Sequence, residues 1–139
     1  MMTDKEIFQL YGNDSFWQLN KCLVLNIGLL EATLYAELFS WYQHFYLTDQ
    51  LQEDNFFYMS KKLLYTRLGV SESTLFRCMK NLKKLGLVIM KQRGIGETNL
   101  YTLDLQVLVK LLSEGERKVK ISKKMEDEFR REYEGNVPS

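Results

Sequence analysis

The sequence predicts a mainly α protein with one small β-hairpin, an α+β fold, and three observations lead there. Apolar residues recur at three- and four-residue steps in two long stretches, Leu30, Leu34, Leu38, Trp41 and Phe45, then Leu75, Cys78, Met79, Leu82 and Leu85. That is the period of a helix with a buried face. Two runs rich in strand formers, LVIMKQ at 87–92 and LYTLD at 100–104, flank RGIGETN at 93–99, whose glycines suit a hairpin connection. Finally, Asn20, Ser60 and Ser71 stand ahead of apolar-periodic segments that stop at Gly28, Gly69 and Gly86, the chemistry that starts and ends helices.

In chain order, DSFWQLNKCLVLN at 14–26 reads as an entry segment and a short helix capped by Asn20. Residues 29–46, LLEATLYAELFSWYQHFY, form the next helix, and Tyr35, Phe39, Tyr42 and Tyr46 widen its apolar stripe beyond what one neighbour covers. Such a helix lies at the centre of the fold or supplies a subunit interface, and Tyr35, Phe39, Trp41, Tyr42, Phe45 and Tyr46 are the candidate homodimer residues. LTDQLQEDN at 47–55 is a polar connection, and FFYM at 56–59 is a short strand. Ser60 then caps a helix with Leu63, Leu64 and Leu68 on one face, and Ser71 caps the next, with Glu72 in its first turn. After the hairpin, Asp104 caps a helix from Leu105 to Leu112 with Leu105, Leu108, Leu111 and Leu112 inward. Beyond it the chain is almost wholly charged or polar. Met125, Phe129 and Tyr133 recur every four residues there, enough for a marginal helix. The expected organisation is one domain over 1–112 with an N-terminal helical extension, and a charged, flexible or partly helical tail over 113–139.

With 139 residues, 45% hydrophobic and 13% aromatic, the chain can close a single core. No apolar run is long enough to cross a bilayer, and MMTDKEIFQL lacks the basic start and apolar centre of a secretory signal, so the expectation is a cytosolic protein with no membrane partner. Cys22 and Cys78 stand far apart beside a lone histidine, His44, which is too few ligands for a metal cage. No catalytic motif appears, and GIG at 94–96 follows a strand without opening a helix, as a dinucleotide site requires. The expectation is no enzyme, no metal and no cofactor.

The net charge of +1 hides a segregation. Residues 1–57 hold 2 basic and 8 acidic side chains, residues 58–110 hold 10 and 3, and residues 111–139 hold 7 of each. A locally positive surface attracts a polyanion even when the whole molecule is near neutral.

The order helix, short strand, helix, tight turn, helix, strand, glycine hairpin, strand resembles a winged helix-turn-helix domain over about residues 15–104. The residues that carry it are SKKLLYTRLG from Ser60, GVSES from Gly69, STLFRCMKNLKKLGLV ending at Val88, and the wing from Ile89 to Leu103. The resemblance implies that the second helix of the pair lies in the major groove of DNA. Removing its buried stripe leaves Ser71, Ser73, Thr74, Phe76, Arg77, Lys80, Lys83 and Lys84 outside. Arg77 suits bidentate recognition of guanine, Ser73 and Thr74 reach bases or phosphates, and Phe76 meets a thymine methyl or packs on a neighbour. Lys80, Lys83 and Lys84, with Lys61, Lys62 and Arg67, suit phosphates, and Lys91 and Arg93 flank the tip of the wing.

FWQLNKCLVLNIGLLEATLYAELFSWYQ, ahead of that motif, looks like the N-terminal domains of plasmid and phage replication initiators and replisome organisers of Gram-positive bacteria. Those families continue into a second domain; here a charged segment follows, and the chain reads as a stand-alone relative or as part of a longer protein. The implied use is double-stranded DNA binding in replication initiation or its control, in a phage, plasmid or other mobile element, with a homodimer and a replication or host protein met through 113–139 as partners. A dimeric transcriptional regulator and a winged helix adapted to protein binding are the competing uses of the fold.

Overall fold

The computed structural model describes residues 1–13, 17–92 and 99–136. Among the described residues, six α-helices and three strands follow in the order α1 (Asp4–Asn13), α2 (Lys21–Ile27), α3 (Leu29–Leu47), β1 (Phe57–Met59), α4 (Lys61–Leu68), α5 (Glu72–Lys84), β2 (Val88–Lys91), β3 (Asn99–Leu103) and α6 (Leu105–Asn136). It is a mainly α protein with a small antiparallel sheet.

The caps place most of these boundaries. Asn20, Ser60 and Ser71 each adopt extended backbone and accept, through the side-chain oxygen, the amide of the third residue onward, Leu23, Leu63 and Thr74, each at 3.2 Å. Each bond satisfies an amide that has no partner inside its own helix. Asp104 does the same for α6, accepting from Gln106 N at 3.0 Å and Val107 N at 3.2 Å. Gly28, with φ of 102°, separates α2 from α3: its amide closes the earlier helix on Val24 O at 2.8 Å while its carbonyl accepts from Ala32 N at 3.0 Å. Backbone at that φ is open to glycine and strained for other residues.

The strands pair in the order β1-β3-β2, all antiparallel, with Phe57 opposite Tyr101 and Val88 opposite Leu103. Asn99, expected in the hairpin loop, is instead the first residue of β3 and is buried. Gly94 and Gly96 lie outside the described residues.

Leu34 and Leu38 of α3, Leu64 of α4, Leu82 of α5, Phe57, Leu87, Val88 and Tyr101 are fully buried and meet in one core. The centre of that core is α3, which touches α2, α4, α5 and β3. Its wide apolar stripe is used inside the chain. Tyr35 and Tyr42, candidates for a homodimer surface, are 3% and 7% exposed and belong to the core, and this corrects that expectation. Phe39 packs 6.0 Å from Tyr35, and Phe45 sits between Trp41 at 5.7 Å and Phe57 at 5.9 Å. Of the six, Tyr46 alone is largely exposed, and its ring stacks on Tyr42 at 6.4 Å.

Two elements depart from the expected outline. The first, α1, was not foreseen as a helix, and every residue from Asp4 to Gly12 is exposed. The second, α6, does not stop at Leu112 but continues to Asn136, a length of about 48 Å at 1.5 Å per residue. Its beginning packs along α2, where Asn26 Nδ2 donates to Leu111 O at 3.0 Å and a Cβ added to Gly115 would stand 2.1 Å from the carbonyl oxygen of Cys22. Leu105, expected inward, is exposed, whereas Leu111 is buried and Leu108 and Leu112 are half-buried. From Lys120 onward every described residue is exposed.

Candidate nucleic-acid interface

The turn between α4 and α5 is built by Gly69, in left-handed backbone at φ 66° and ψ 31°. Its amide donates to Thr66 O at 3.2 Å and the amide of Val70 to Tyr65 O at 3.1 Å, which closes the end of α4 and turns the chain sharply. Ser71 then starts α5. Beyond the amide of Thr74, its hydroxyl bonds Thr74 Oγ1 at 3.0 Å and lies 3.2 Å from Ser73 Oγ. Ser71 and half-buried Thr74, both candidate DNA contacts, are thus engaged in shaping the helix start.

On α5, Leu75, Cys78, Met79 and Leu82 are buried. Burial raises the Cys78 thiol above its ordinary value, and Glu31 nearby adds to it, so this cysteine packs as a small apolar group. Asn81 fixes the helix to α3 by donating to Glu31 Oε1 at 2.9 Å. The opposite face presents Ser73, Phe76, Arg77, Lys80 and Lys84, all exposed and spaced at three- and four-residue steps. From Ser73 to Lys84 this stripe is about 16 Å long. Phe76, 66% exposed, stands in the middle of it.

Lys83 lies beside this stripe and is half-buried. Desolvation first, and the ammonium of Lys61 second, lower its pKa below the ordinary lysine value. The charge of Lys61 on α4 is thus felt at Lys83 on α5, and a phosphate beside Lys83 would offset that repulsion. Lys62 is exposed next to Lys61.

Arg67 and Lys91 behave differently from the sequence expectation. Arg67 Nε donates to Glu37 Oε1, and its guanidinium carbon lies 5.6 Å from the Trp41 ring centroid, so this exposed arginine is also tied to α3. Lys91 Nζ sits 4.3 Å over the Phe56 ring, a cation–π contact that holds the base of the wing. Arg93 lies outside the described residues.

The residue that sequence reasoning passed over is Glu37. It is 3% exposed and accepts from Trp17 Nε1 at 2.8 Å, Trp41 Nε1 at 3.0 Å and Arg67. A buried carboxylate needs such a set of donors. Its place within an apolar helical stripe, one turn before Trp41, was the available signal, but its other two partners are 20 and 30 residues away in sequence. An open groove of about 1010 Å³ runs beside it, lined by Trp17, Phe39, Gln43 and Leu112 among others.

The turn, the two crossing helices and the three-stranded sheet behind them decide the architecture. The chain has the winged helix-turn-helix fold. Solved structures share it: one described as "Structure of Rep-DNA complex" matches with a TM-score of 0.54 and 23% identity, over 75% of this chain and 82% of that one. Another, "N-Terminal domain of DNA binding protein", gives 0.53 and 23% over the same shares. A third, "Structure of MDR initiator", gives 0.51 and 20% over 75% and 85%. No protein-family model matches the chain, and no curated protein matches it significantly. Within this winged helix the cations cluster on α4 and α5, while the charged side chains of α1 to α3 are mostly acidic. Among the described residues, no helix is long and apolar enough to cross a membrane.

Proposed function

We propose that this chain binds double-stranded DNA by laying α5 in the major groove, and that it does so in initiating replication, or controlling its initiation, in a phage, plasmid or other mobile element. It acts in the cytoplasm as a homodimer, and binding rather than catalysis is its work. The observation that carries the reading is the exposed face of α5, where Ser73, Phe76, Arg77, Lys80 and Lys84 stand together on the outside of a rigidly capped helix. Arginine and the small hydroxyl reach base edges, an aromatic fits a thymine methyl, and lysines hold phosphates. The place of this act in replication is supported by the fold shared with a structure described as a Rep-DNA complex and one described as an MDR initiator.

The deciding experiment is retention of a random pool of double-stranded DNA at two salt concentrations, followed by sequencing. An enriched motif is expected, with two half-sites about one helical turn apart, found beside origins of replication. The same motif found beside promoters would move the protein to transcriptional control. Retention without enrichment would reduce it to an accessory binder, and no retention would overturn the proposal in favour of protein binding.

A further inference from the structure

We propose that the exposed half of α6 pairs antiparallel with the same helix of a second copy of this chain. Ile121, Met125, Phe129 and Tyr133 are 54%, 64%, 63% and 63% exposed and follow one another at steps of four. Each such step turns the helix by only about 40°, so the four side chains form one slowly winding seam about 18 Å long. Single exposed apolar residues are ordinary on a protein surface; a seam of four, two of them aromatic with ring centroids 6.2 Å apart, is a contact surface. It also continues onto the body of the domain, because Lys118 Nζ, one turn before the seam, bonds the carbonyl of exposed Leu25 at 3.1 Å. Nothing in the described residues covers it, and an isolated helix of this length is marginal in water until its apolar face is packed.

The charges around the seam select the occupant and its direction. Lysines lie toward its start and glutamates toward its end: Lys118 and Glu132 fall within the seam's face, while Lys124 and Glu128 border the same side of it. Parallel pairing would set lysine beside lysine and glutamate beside glutamate. Antiparallel pairing centred on Met125 sets Ile121 against Phe129 of the second copy and Met125 against its own equivalent. Lys124 then meets Glu128 of the second copy and Lys118 meets Glu132 of the second copy, each pair occurring twice by symmetry. An ammonium has three donors, so Lys118 can keep the carbonyl of Leu25 and take a carboxylate as well. The seam is thus complementary to itself in one orientation.

This inference names the contact for the proposed homodimer but rests on no DNA contact, so it is tested without DNA, by sedimentation velocity of the full chain over a concentration series. The parent chain is expected to show a monomer–dimer equilibrium and Met125→Glu to be monomeric. Lys124→Glu and Glu128→Lys place like charges opposite one another in their own dimers and should each associate at least about tenfold more weakly. An equimolar mixture of those two variants restores two opposite-charge contacts and should dimerise with the strength of the parent. Circular dichroism checks that each variant keeps its helix. A parent chain that stays monomeric throughout, or a mixture no tighter than its components, would overturn the proposal. So would a dimer that survives Met125→Glu and is broken by Tyr46→Glu, which would return the contact to α3.

Discussion

Arg77 and Lys83 are less than two turns apart on α5, yet their surroundings give them different work. Arg77 stands exposed between Ser73 and Lys80, where its forked guanidinium is placed to read a base edge. Replacing it by Ala should cost about 1 to 3 kcal/mol at the preferred site and relax discrimination at one base pair, as competition binding against single-base variants of the site would show. Lys83 is half-buried and feels the charge of Lys61, so Lys83→Ala should remove a repulsion from the free protein and a phosphate contact from the proposed complex. Binding should weaken alike for all sequences while thermal stability holds. If both variants bind as the parent does, α5 is not the reading head. Tyr35 shows the opposite economy, a polar atom buried for the sake of its ring. Its hydroxyl is buried without a hydrogen-bond partner among the described residues, and burial first, with Tyr42 and Asp104 adding to it, raises its pKa far above the ordinary 10.0. Tyr42 and Tyr101 are shifted in the same direction, each mainly by burial. A pKa raised by folding means that the folded chain holds its proton where the unfolded chain loses it, so this stability is full below pH 10 and drains away above it. Tyr35→Phe should therefore leave neutral stability unchanged or raise it by about 1 kcal/mol, and should make the alkaline loss shallower. Urea denaturation at neutral pH and above pH 10 reads both effects; a large loss at neutral pH would show that the hydroxyl has a partner after all.

At the scale of elements, α2 and α6 meet by a backbone approach so close that a methyl group has no room. A Cβ on Gly115 would lie 2.1 Å from Cys22 O and 2.7 Å from its carbonyl carbon. Those are main-chain atoms of a capped helix, so neither can swing aside. Gly115→Ala should force the helices apart and cost about 1 to 3 kcal/mol, despite alanine being the better helix former, and thermal melting would reveal an unchanged stability if the approach were looser. The glycine was invisible to sequence reading because its partner is on another helix, 93 positions away, and nothing in SEGER marks it. What was legible has the opposite character. The starts of α2, α4, α5 and α6 follow from Asn20, Ser60, Ser71 and Asp104, whose bonds reach only two or three residues ahead. The exposed face of α5 was legible for the same reason, since subtracting a helical stripe needs no knowledge of the neighbour that buries it. Partners fixed by tertiary packing were not: nothing near Arg67 in the sequence marks its bond to Glu37, 30 positions away. The full length of α6 was missed because its apolar period drifts after Leu112 from the face that packs on α2 to one that nothing in the chain covers.

The charge of the whole molecule is divided along the chain, acidic over residues 1–57 and basic over residues 58–110. Of the acidic side chains in the first 57 residues, Glu37 is buried and paired with Arg67 and Glu31 is engaged by Asn81, but Asp4, Glu6, Asp49, Glu53 and Asp54 are exposed on or beside α1, α3 and the loop before β1. The cations of α4 and α5 lie on the helix-turn-helix side. A polyanion is thus drawn to the exposed cations of α4 and α5 rather than to the acidic first third of the chain. Four to six of Lys61, Lys62, Arg77, Lys80, Lys83 and Lys84 on phosphates would displace as many counterions, so log K should fall against log salt with a slope of about −4 to −5. Between about 50 and about 200 mM salt, that is a loss of roughly two to three decades in affinity. Lys83→Ala should reduce the slope by about one unit, and a nonspecific duplex should show nearly the slope of the preferred site, because phosphates are the same everywhere. A slope near zero on both would mean that the divided charge serves something other than DNA. A slope present on the preferred site and absent on the nonspecific one would mean that the cations engage only after α5 has found its bases.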